Sequence, residues 1–344
     1  MSPQQVRTWV AFEKKYGGLG TEALSSLCTK PFFDNGGKAI RVVRIGSEQI
    51  KGVPPFLQGL SLLDRIGDFN ILFIPQTEQL PDTHAITVMH AAIALVAKHR
   101  AMYVLDVPQR DAPRQTVRAL TTWLNQQSGI HHPNVVMYAP RIQLPQSRKK
   151  ASLHTIPASG AIAGVMARTD QQRGVWKAPA GTTAILHGVQ SIEQTLTQPE
   201  MGQLTRLGIN PIRQTSPSQV VAWGARTLSS NREWQYLTVR RLALFLESSI
   251  QQGLGWVVDE PNDEQLWSHI RQAIEVFLQS LFRKGAFQGH KAQEAYFVKC
   301  GPDTISSSDQ IAGNVNIMIG FAPLKPAEFI NLTIQQKAKS VRQA

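Results

Sequence analysis

The run Met102-Tyr103-Val104-Leu105-Asp106-Val107 has the continuous apolar character of a strand that is buried on both faces of a sheet. Similar short runs occupy residues 40–45, 70–75 and 134–138. Between them, Ala, Leu, Ile and Val recur at helical spacing over residues 82–100 and 112–127. Strands that alternate with helices in this way predict an α/β fold for the first half of the chain, with a mixed, largely parallel sheet flanked by helices.

The second half contains a well-marked amphipathic helix at residues 263–284. Its apolar residues recur every three or four positions and form one wide face: Leu266, Trp267, Ile270, Ile274, Phe277, Leu278, Leu281 and Phe282. Asn262 with Gln265 is expected to form a capping box at its start, and Gly285 to end it. An earlier helix is predicted from about residue 234 to residue 252.

The last strand-like segment, residues 328–336, has two different faces. Ile330, Leu332 and Ile334 lie on one face, which is apolar, and alternate with Phe329 and polar residues on the other. Such a strand must pair with another strand. Pairing within its own domain is the default interpretation, and donation to the sheet edge of a neighbouring subunit is the alternative.

The 344-residue chain is basic, with 36 Lys and Arg against 24 Asp and Glu and a net charge of +12. The basic residues form scattered short doublets without interleaved aromatic residues, which favours an acidic protein partner over nucleic acid. No apolar run reaches the roughly 20 residues of a membrane span, and the N-terminus does not have the layout of a signal peptide. Cys28 and Cys300 have no metal-ligand spacing, and synthesis in a reducing cytoplasm is expected.

Residues with catalytic potential form no recognisable constellation. Gly17-Gly18-Leu19-Gly20 follows a helix-like segment, whereas a phosphate-binding loop follows a strand. His131-His132 has no acidic cluster nearby in the sequence. Asp106 ends a strand, where α/β enzymes often place a carboxylate, but a lone Asp is more simply a cap or turn residue. We assign no catalytic, cofactor-binding or metal-binding residue.

A series of short motifs extends from Asp170 towards residue 329. In chain order they include Trp176-Lys177-Ala178-Pro179-Ala180-Gly181, Gly208-Ile209-Asn210-Pro211-Ile212-Arg213, Val221-Ala222-Trp223-Gly224, Trp256-Val257-Val258-Asp259-Glu260-Pro261-Asn262-Asp263 and Phe321-Ala322-Pro323-Leu324-Lys325-Pro326. Their order and spacing resemble those of the contractile tail sheath proteins of phages and phage-tail-like injection particles. Residues 6–17 and 32–45 are compatible with the same family. Its members usually begin with an extended arm, which is expected to be missing or nearly so here.

The resemblance implies two domains. Residues 1–181 would form an α/β sheath core domain, and residues 182–344 an α+β C-terminal sheath domain that carries an exchangeable terminal strand. The resemblance also implies a structural function, without enzymatic activity or a cofactor. The subunit would polymerise helically around an inner tube and contract to drive the tube through a target envelope.

The partners implied by the resemblance are other proteins of the same particle. They are further copies of the chain, in a helical or hexameric-ring polymer that sheath paralogues can join, the inner tube protein, and baseplate and tail terminator proteins. No nucleic acid and no membrane span are expected. The phage tail or phage-tail-like particle would be assembled in the bacterial cytoplasm.

Two surfaces are predicted to carry the function. Arg271, Arg283, Lys284 and Lys291, on the polar face and around the end of helix 263–284, would face an acidic tube surface. Ordinary solvated surface charge is the alternative interpretation for each of them. Phe329, Ile330, Leu332 and Ile334 would form the intersubunit strand.

Two other functions stay open. An α/β enzyme would have a cluster of carboxylates or histidines with perturbed pKa values at the strand ends, near Asp106 and His84. A nucleic-acid-binding protein, suggested by the charge alone, would show a steep salt dependence of DNA binding.

Overall fold

A computed structural model gives the structure of the protein and describes residues 3–46, 52–108, 116–146, 152–324 and 330–339. The chain divides into an N-terminal unit, Met1–Arg240, and a C-terminal unit, Arg241–Ala344. The expected boundary after residue 181 differs from this division. The reason is that two strands beyond it, Ile209–Ser216 and Gln219–Ala222, belong to the main sheet of the N-terminal unit.

The N-terminal unit contains ten strands and seven helices among its described residues. The strands are β1 (Gln4–Val6), β2 (Ile40–Val42), β3 (Ile71–Phe73), β4 (Met102–Leu105), β5 (Val135–Ala139), β6 (Ile142–Pro145), β7 (Leu153–Ile156), β8 (Ser191–Ile192), β9 (Ile209–Ser216) and β10 (Gln219–Ala222). The helices are α1 (Trp9–Tyr16), α2 (Leu24–Asp34), α3 (Pro54–Ile66), α4 (Asp82–Lys98), α5 (Val117–Gln126), α6 (Ser159–Arg173) and α7 (Gln198–Arg206).

The main sheet has the order β10-β9-β5-β4-β3. The pairs β9-β5, β5-β4 and β4-β3 are parallel, and β10 is antiparallel to β9. The sheet is therefore mixed and largely parallel, as predicted. The apolar runs at residues 70–75, 102–107 and 134–138 form β3, β4 and β5. The run at residues 40–45 does not join them, because β2 pairs with β1 in a separate two-stranded sheet.

The helices α4 and α5 connect the parallel strands and bury their apolar faces in the core. The side chains of Met89, Val96, Leu120 and Trp123 are at most 2% exposed. All of β4 and β5 is buried, which is the environment expected of continuous apolar strands between helices.

β9 joins the sheet through a buried asparagine as well as through backbone pairing. β9 lies parallel to β5, with Asn210 opposite Tyr138. Asn210 Nδ2 donates to Met137 O at 3.1 Å and to Arg226 O at 2.8 Å. Since the Asn210 side chain is 1% exposed, these bonds satisfy a group that would otherwise be costly to bury.

Helices α2 and α6 pack with close backbone contact. A Cβ atom on Gly160 would lie 1.9 Å from Cys28 O, and one on Gly164 would lie 2.5 Å from Phe32 O. Both obstacles are backbone atoms, which cannot move aside as a flexible side chain can. The glycines are therefore required by this helix contact.

The C-terminal unit combines helices with a three-stranded sheet. Its helices are α9 (Glu264–Arg283), α10 (Ala292–Ala295) and α11 (Ser307–Ile311), and α8 (Leu237–Gly253) crosses the boundary between the units. Its strands are β11 (Tyr296–Lys299), β12 (Asn314–Phe321) and β13 (Ile330–Lys337). The helices predicted at residues 234–252 and 263–284 are thus present as α8 and α9. No helix in the described ranges combines the length and the apolar character that crossing a membrane requires.

We expect Gly160→Ala to lower the free energy of unfolding by about 1–3 kcal/mol, because the new methyl group would overlap the Cys28 carbonyl oxygen. Gly202→Ala, in the interior of α7, is the matched control. There the nearest atom to the added carbon is Arg206 Nη1 at 3.8 Å, so this variant should gain about 0.5–1 kcal/mol. Urea denaturation followed by circular dichroism measures both. If the two variants were stabilised alike, α6 would not lie as close to α2 as described.

Candidate functional site: the C-terminal sheet and the cationic helix end

The terminal strand pairs within its own chain in the structure. The C-terminal sheet has the order β11-β12-β13, and β13 is antiparallel to β12 from Phe321 opposite Ile330 to Asn314 opposite Lys337. The strand predicted at residues 328–336 is therefore present as β13, and Phe329 lies outside the described residues. Exchange of this strand between subunits stays a prediction.

The apolar face of β13 is buried. Ile330, Leu332 and Ile334 are 1%, 5% and 6% exposed. In the ladder they lie opposite the buried residues Phe321, Ile319 and Ile317 of β12. Burial of an aliphatic side chain of this size stabilises by about 1.5–3 kcal/mol. The register is well determined as a consequence, because a shift by one residue would turn all three side chains to the other face.

The outer edge of β13 presents backbone groups. Ala338 N–H donates to Gly313 O at 2.8 Å, and by the alternation of an antiparallel ladder the even-numbered residues of β13 bond to β12. The N–H and C=O groups of Thr333 and Gln335 therefore point away from β12. On that outer side Lys339 N–H donates to Glu260 O at 3.0 Å, so the segment before α9 covers the end of the edge. The stretch before it can accept another strand.

The start of α9 differs from the expected capping box. The N-cap is Asp263, whose Oδ1 accepts from Leu266 N at 2.9 Å. Asn262 is fully buried instead: its Oδ1 accepts from Trp267 Nε1 at 2.8 Å and its Nδ2 donates to Asn314 O at 3.1 Å. Asn262 thereby attaches the start of α9 to the start of β12. The prediction of Asn262 as a cap was wrong because a local pattern does not reveal distant acceptors.

The four basic residues predicted to face a tube do not form one cluster. Arg271 is half-buried and its Nη1 donates to Cys300 O. Arg283 and Lys284, at the end of α9, and Lys291, just before α10, are exposed. Arg271 and Arg283 are separated by about 18 Å along the helix at 1.5 Å per residue. Three of the four are thus exposed, whereas Arg271 bonds to the turn after β11, and contact with a tube stays a prediction.

The net charge of the chain lies in the N-terminal unit. Residues 1–240 contain 26 Lys and Arg against 14 Asp and Glu, whereas residues 241–344 contain 10 of each. The C-terminal unit is therefore neutral as a whole, and any cationic surface on it must be local.

Asp106 lies in a cluster of buried polar side chains. The sequence indicated only Asp106 itself. Glu78 and Arg141 are 5% and 1% exposed, and Arg141 Nε lies 3.3 Å from Glu78 Oε2. Sequence reasoning singled out Asp106 alone, because its partners come from distant segments. Burial raises the pKa values of Asp106 and Glu78, and an enzyme site would also have carboxylates with shifted pKa values. Both carboxylates are, however, buried. A cavity of about 220 Å³ in this unit is lined by other residues, among them Leu27, Pro31 and Leu144.

The described residues hold no group of three or more His, Cys, Asp or Glu side chains arranged to bind a metal ion.

Family models match two consecutive parts of the chain. Residues 69–228 match the phage tail sheath protein central domain, and residues 229–337 match the phage tail sheath C-terminal domain. The chain belongs to the phage tail sheath protein family. The resemblance inferred from the motifs is confirmed, and the family's two domains meet close to the boundary between the structural units.

A similar sheath protein is a prophage major tail sheath protein of Pseudomonas aeruginosa, which is 26% identical over 253 residues. The match covers 72% of this chain and 61% of that protein, so the chain spans less than two thirds of its length.

Solved sheath structures match nearly the whole chain. The helical sheath of the anti-feeding prophage in its contracted state has a TM-score of 0.76 and 28% identity, over 98% of this chain and 88% of that chain. The sheath complex of an extracellular contractile injection system, PVC, also in the contracted state, has a TM-score of 0.77 and 26% identity. That match covers 100% of this chain and 88% of the other.

Proposed function

We propose that the protein is the structural subunit of a contractile tail sheath, which polymerises helically around an inner tube and contracts to drive that tube through a target envelope. The likeness over 98% of the chain to a sheath in its contracted state is the observation that carries this proposal. Its partners are further copies of the chain, in helical strands or hexameric rings that sheath paralogues can join, with the inner tube, baseplate and tail terminator proteins. The particle is assembled in the bacterial cytoplasm.

The physical basis of contraction is a change between two packings of rigid subunits. Packed interfaces switch between discrete arrangements more readily than they deform continuously. Contacts between different surfaces of identical subunits that do not close into a ring produce open helical polymers. The driving free energy comes from subunit contacts that form only in the contracted state, and no catalytic residue is needed for this.

Negative-stain electron microscopy of the purified full chain tests this function. We expect ribbed hollow cylinders, because contacts between unlike surfaces of the same subunit propagate without closing. Protein that stays dispersed over a range of concentration, salt and pH, with and without tube protein, would contradict the proposal.

Exchange of β13 is the means by which we propose that neighbouring subunits stay connected while they move. Residues 322–329 join β12 to β13, whereas a β-hairpin needs only two to five residues. Eight residues can reach about 25–30 Å when extended. An exchanged β13 would form the same backbone bonds and bury the same Ile330, Leu332 and Ile334 on a neighbour, so the exchange itself costs little.

A disulfide trap distinguishes exchange from pairing within one chain. Met318 and Thr333 are opposite each other on the exposed face, in a pair that is not hydrogen-bonded. Cα atoms of such pairs lie about 4.5 Å apart, within the range for a disulfide. We expect oxidised particles of Met318→Cys with Thr333→Cys to give a ladder of covalent multimers on a non-reducing gel.

Met318→Cys alone is the matched control and should give no ladder, since Cys28 and Cys300 are buried in both variants. Dispersed protein with both substitutions should give cross-linked monomer. If assembled particles also gave cross-linked monomer and no ladder, β13 would stay in its own chain.

The inner tube is proposed to contact the exposed cationic residues at the end of α9 and just before α10. Arg283, Lys284 and Lys291 point into solvent, and Arg271 can contribute only in part because its Nη1 donates to Cys300 O. Exposed ion pairs are worth only about 0.2–1 kcal/mol each and are screened by salt. Contacts of this strength, repeated in every subunit, can hold a sheath on a tube and still break during contraction.

We expect Arg283→Glu with Lys284→Glu to reduce the amount of sheath that co-sediments with tubes by roughly threefold or more at low salt, because two attractive contacts become repulsive. The matched control reverses the exposed doublet Lys14 and Lys15 in α1, which changes the net charge by the same amount. Equal losses in both variants would indicate a general effect of charge, and unchanged binding of the Arg283 and Lys284 variant would place the tube elsewhere.

A further inference from the structure

Asp106 occupies a confined position in the N-terminal unit. It directly follows β4 and is 7% exposed. Its carboxyl lies beside Ser159, the first residue of α6. One of its oxygens, Oδ2, has no hydrogen-bond partner among the described residues.

The charges around Asp106 do not balance an additional anion. Arg141 supplies the only cation described for this cluster, and its Nε and Nη1 lie 3.3 Å from Glu78 Oε2 and 3.6 Å from Glu193 Oε2. Two carboxylates thus already share one guanidinium before Asp106 is counted. The other titratable groups nearby are the buried Tyr103 and Cys28, which are neutral in their ordinary protonation states.

Burial is the main cause of the raised pKa of Asp106. Burial and, to a lesser extent, the negative charge of Glu78 raise the pKa of Asp106, Ser159 and Arg141 lower it, and the net result is a pKa of about 7 instead of 3.8. Burial also raises the pKa of Glu78, although Arg141 opposes that shift. A buried carboxyl oxygen without a donor favours the neutral acid for the same reason, because an ion loses its hydration there.

We propose that Asp106 is a neutral carboxylic acid in the native protein and that its ionisation loosens the attachment of α6 to α2. An ionised Asp106 needs water or a donor for Oδ2, and the close contacts of Gly160 with Cys28 O and of Gly164 with Phe32 O leave α6 little room to adjust. The N-terminal unit therefore contains a pH-sensitive element that sequence reasoning treated as a turn residue.

The sign of the pH dependence follows from the two protonation states. The unfolded chain loses the proton of Asp106 near the ordinary pKa of about 3.9. The native protein keeps it up to about pH 7. The stabilisation by this proton is therefore complete below about pH 4 and is lost progressively until the pH reaches about 7. Above that pH both states are ionised and the difference stays constant.

The variant Asp106→Asn tests the proposal, because Asn has nearly the shape of the neutral acid and cannot ionise. Urea denaturation of the dispersed full chain at pH 5, 6, 7 and 8 gives the unfolding equilibrium constant. Relative to the variant, the wild-type constant should increase by up to about tenfold per pH unit between pH 5 and pH 7 and then level off. Asp68→Asn, at an exposed carboxylate paired with Arg41, is the control and should keep the wild-type pH dependence.

Parallel pH profiles of the wild type and Asp106→Asn would overturn the proposal, as would a variant that does not fold at pH 5, where the neutral side chain is expected to fit. Hydrogen exchange of the α6 amides in the wild type gives a second readout. After correction for the intrinsic rates, their protection should decrease between pH 5 and pH 8, and constant protection would also overturn the proposal. Neither measurement needs a polymer, so their failure would leave the proposed sheath function untouched.

Discussion

The backbone groups at a strand edge must find partners, and the main sheets of both units depend on how this requirement is met. In the N-terminal unit β10 is an edge strand, but Leu186 N–H donates to Val220 O at 2.8 Å and Ala222 N–H to Ala184 O at 3.0 Å. That edge is therefore covered by its own chain. In the described part of the C-terminal unit only the end of the β13 edge is covered, by the bond from Lys339 to Glu260, and the groups of Thr333 and Gln335 point away from β12. A further strand is thus accommodated most readily in the C-terminal unit.

The register of the terminal strand β13 is determined by its own side chains. Its buried face determines the register against β12, and this determination does not depend on which copy of the chain supplies the strand. The proposed exchange would have a small entropic cost across the eight residues between β12 and β13, since loop closure becomes only slowly more unfavourable with length. In the proposed exchange, the backbone bonds of β13 would hold neighbouring subunits together while their packing changes.

The two units differ in net charge, and both contain buried polar groups that join distant segments. The N-terminal unit carries the whole net charge of +12, and the C-terminal unit is neutral with a local cationic end on α9. Buried amides determine how distant segments meet: Asn210 bonds the backbones of Met137 and Arg226, and Asn262 bonds Trp267 and Asn314. Buried amides with satisfied bonds allow few alternative arrangements, which favours a single packing of these segments.

The sequence by itself determined the elements whose periodicity is local. Alternation of period two predicted the apolar face of β13, spacing of three and four predicted α9, and the apolar runs predicted β3, β4 and β5, while the motifs from Asp170 towards residue 329 indicated the family. Only the tertiary structure decided that β9 extends the N-terminal sheet, that Asn262 is a buried connector, and that Arg271 bonds to Cys300 O. It also brought Glu78, Arg141 and Glu193 together near Asp106. The physical reason is that hydrogen bonds and burial between residues far apart in the chain depend on how the elements pack, and a local pattern does not encode that packing.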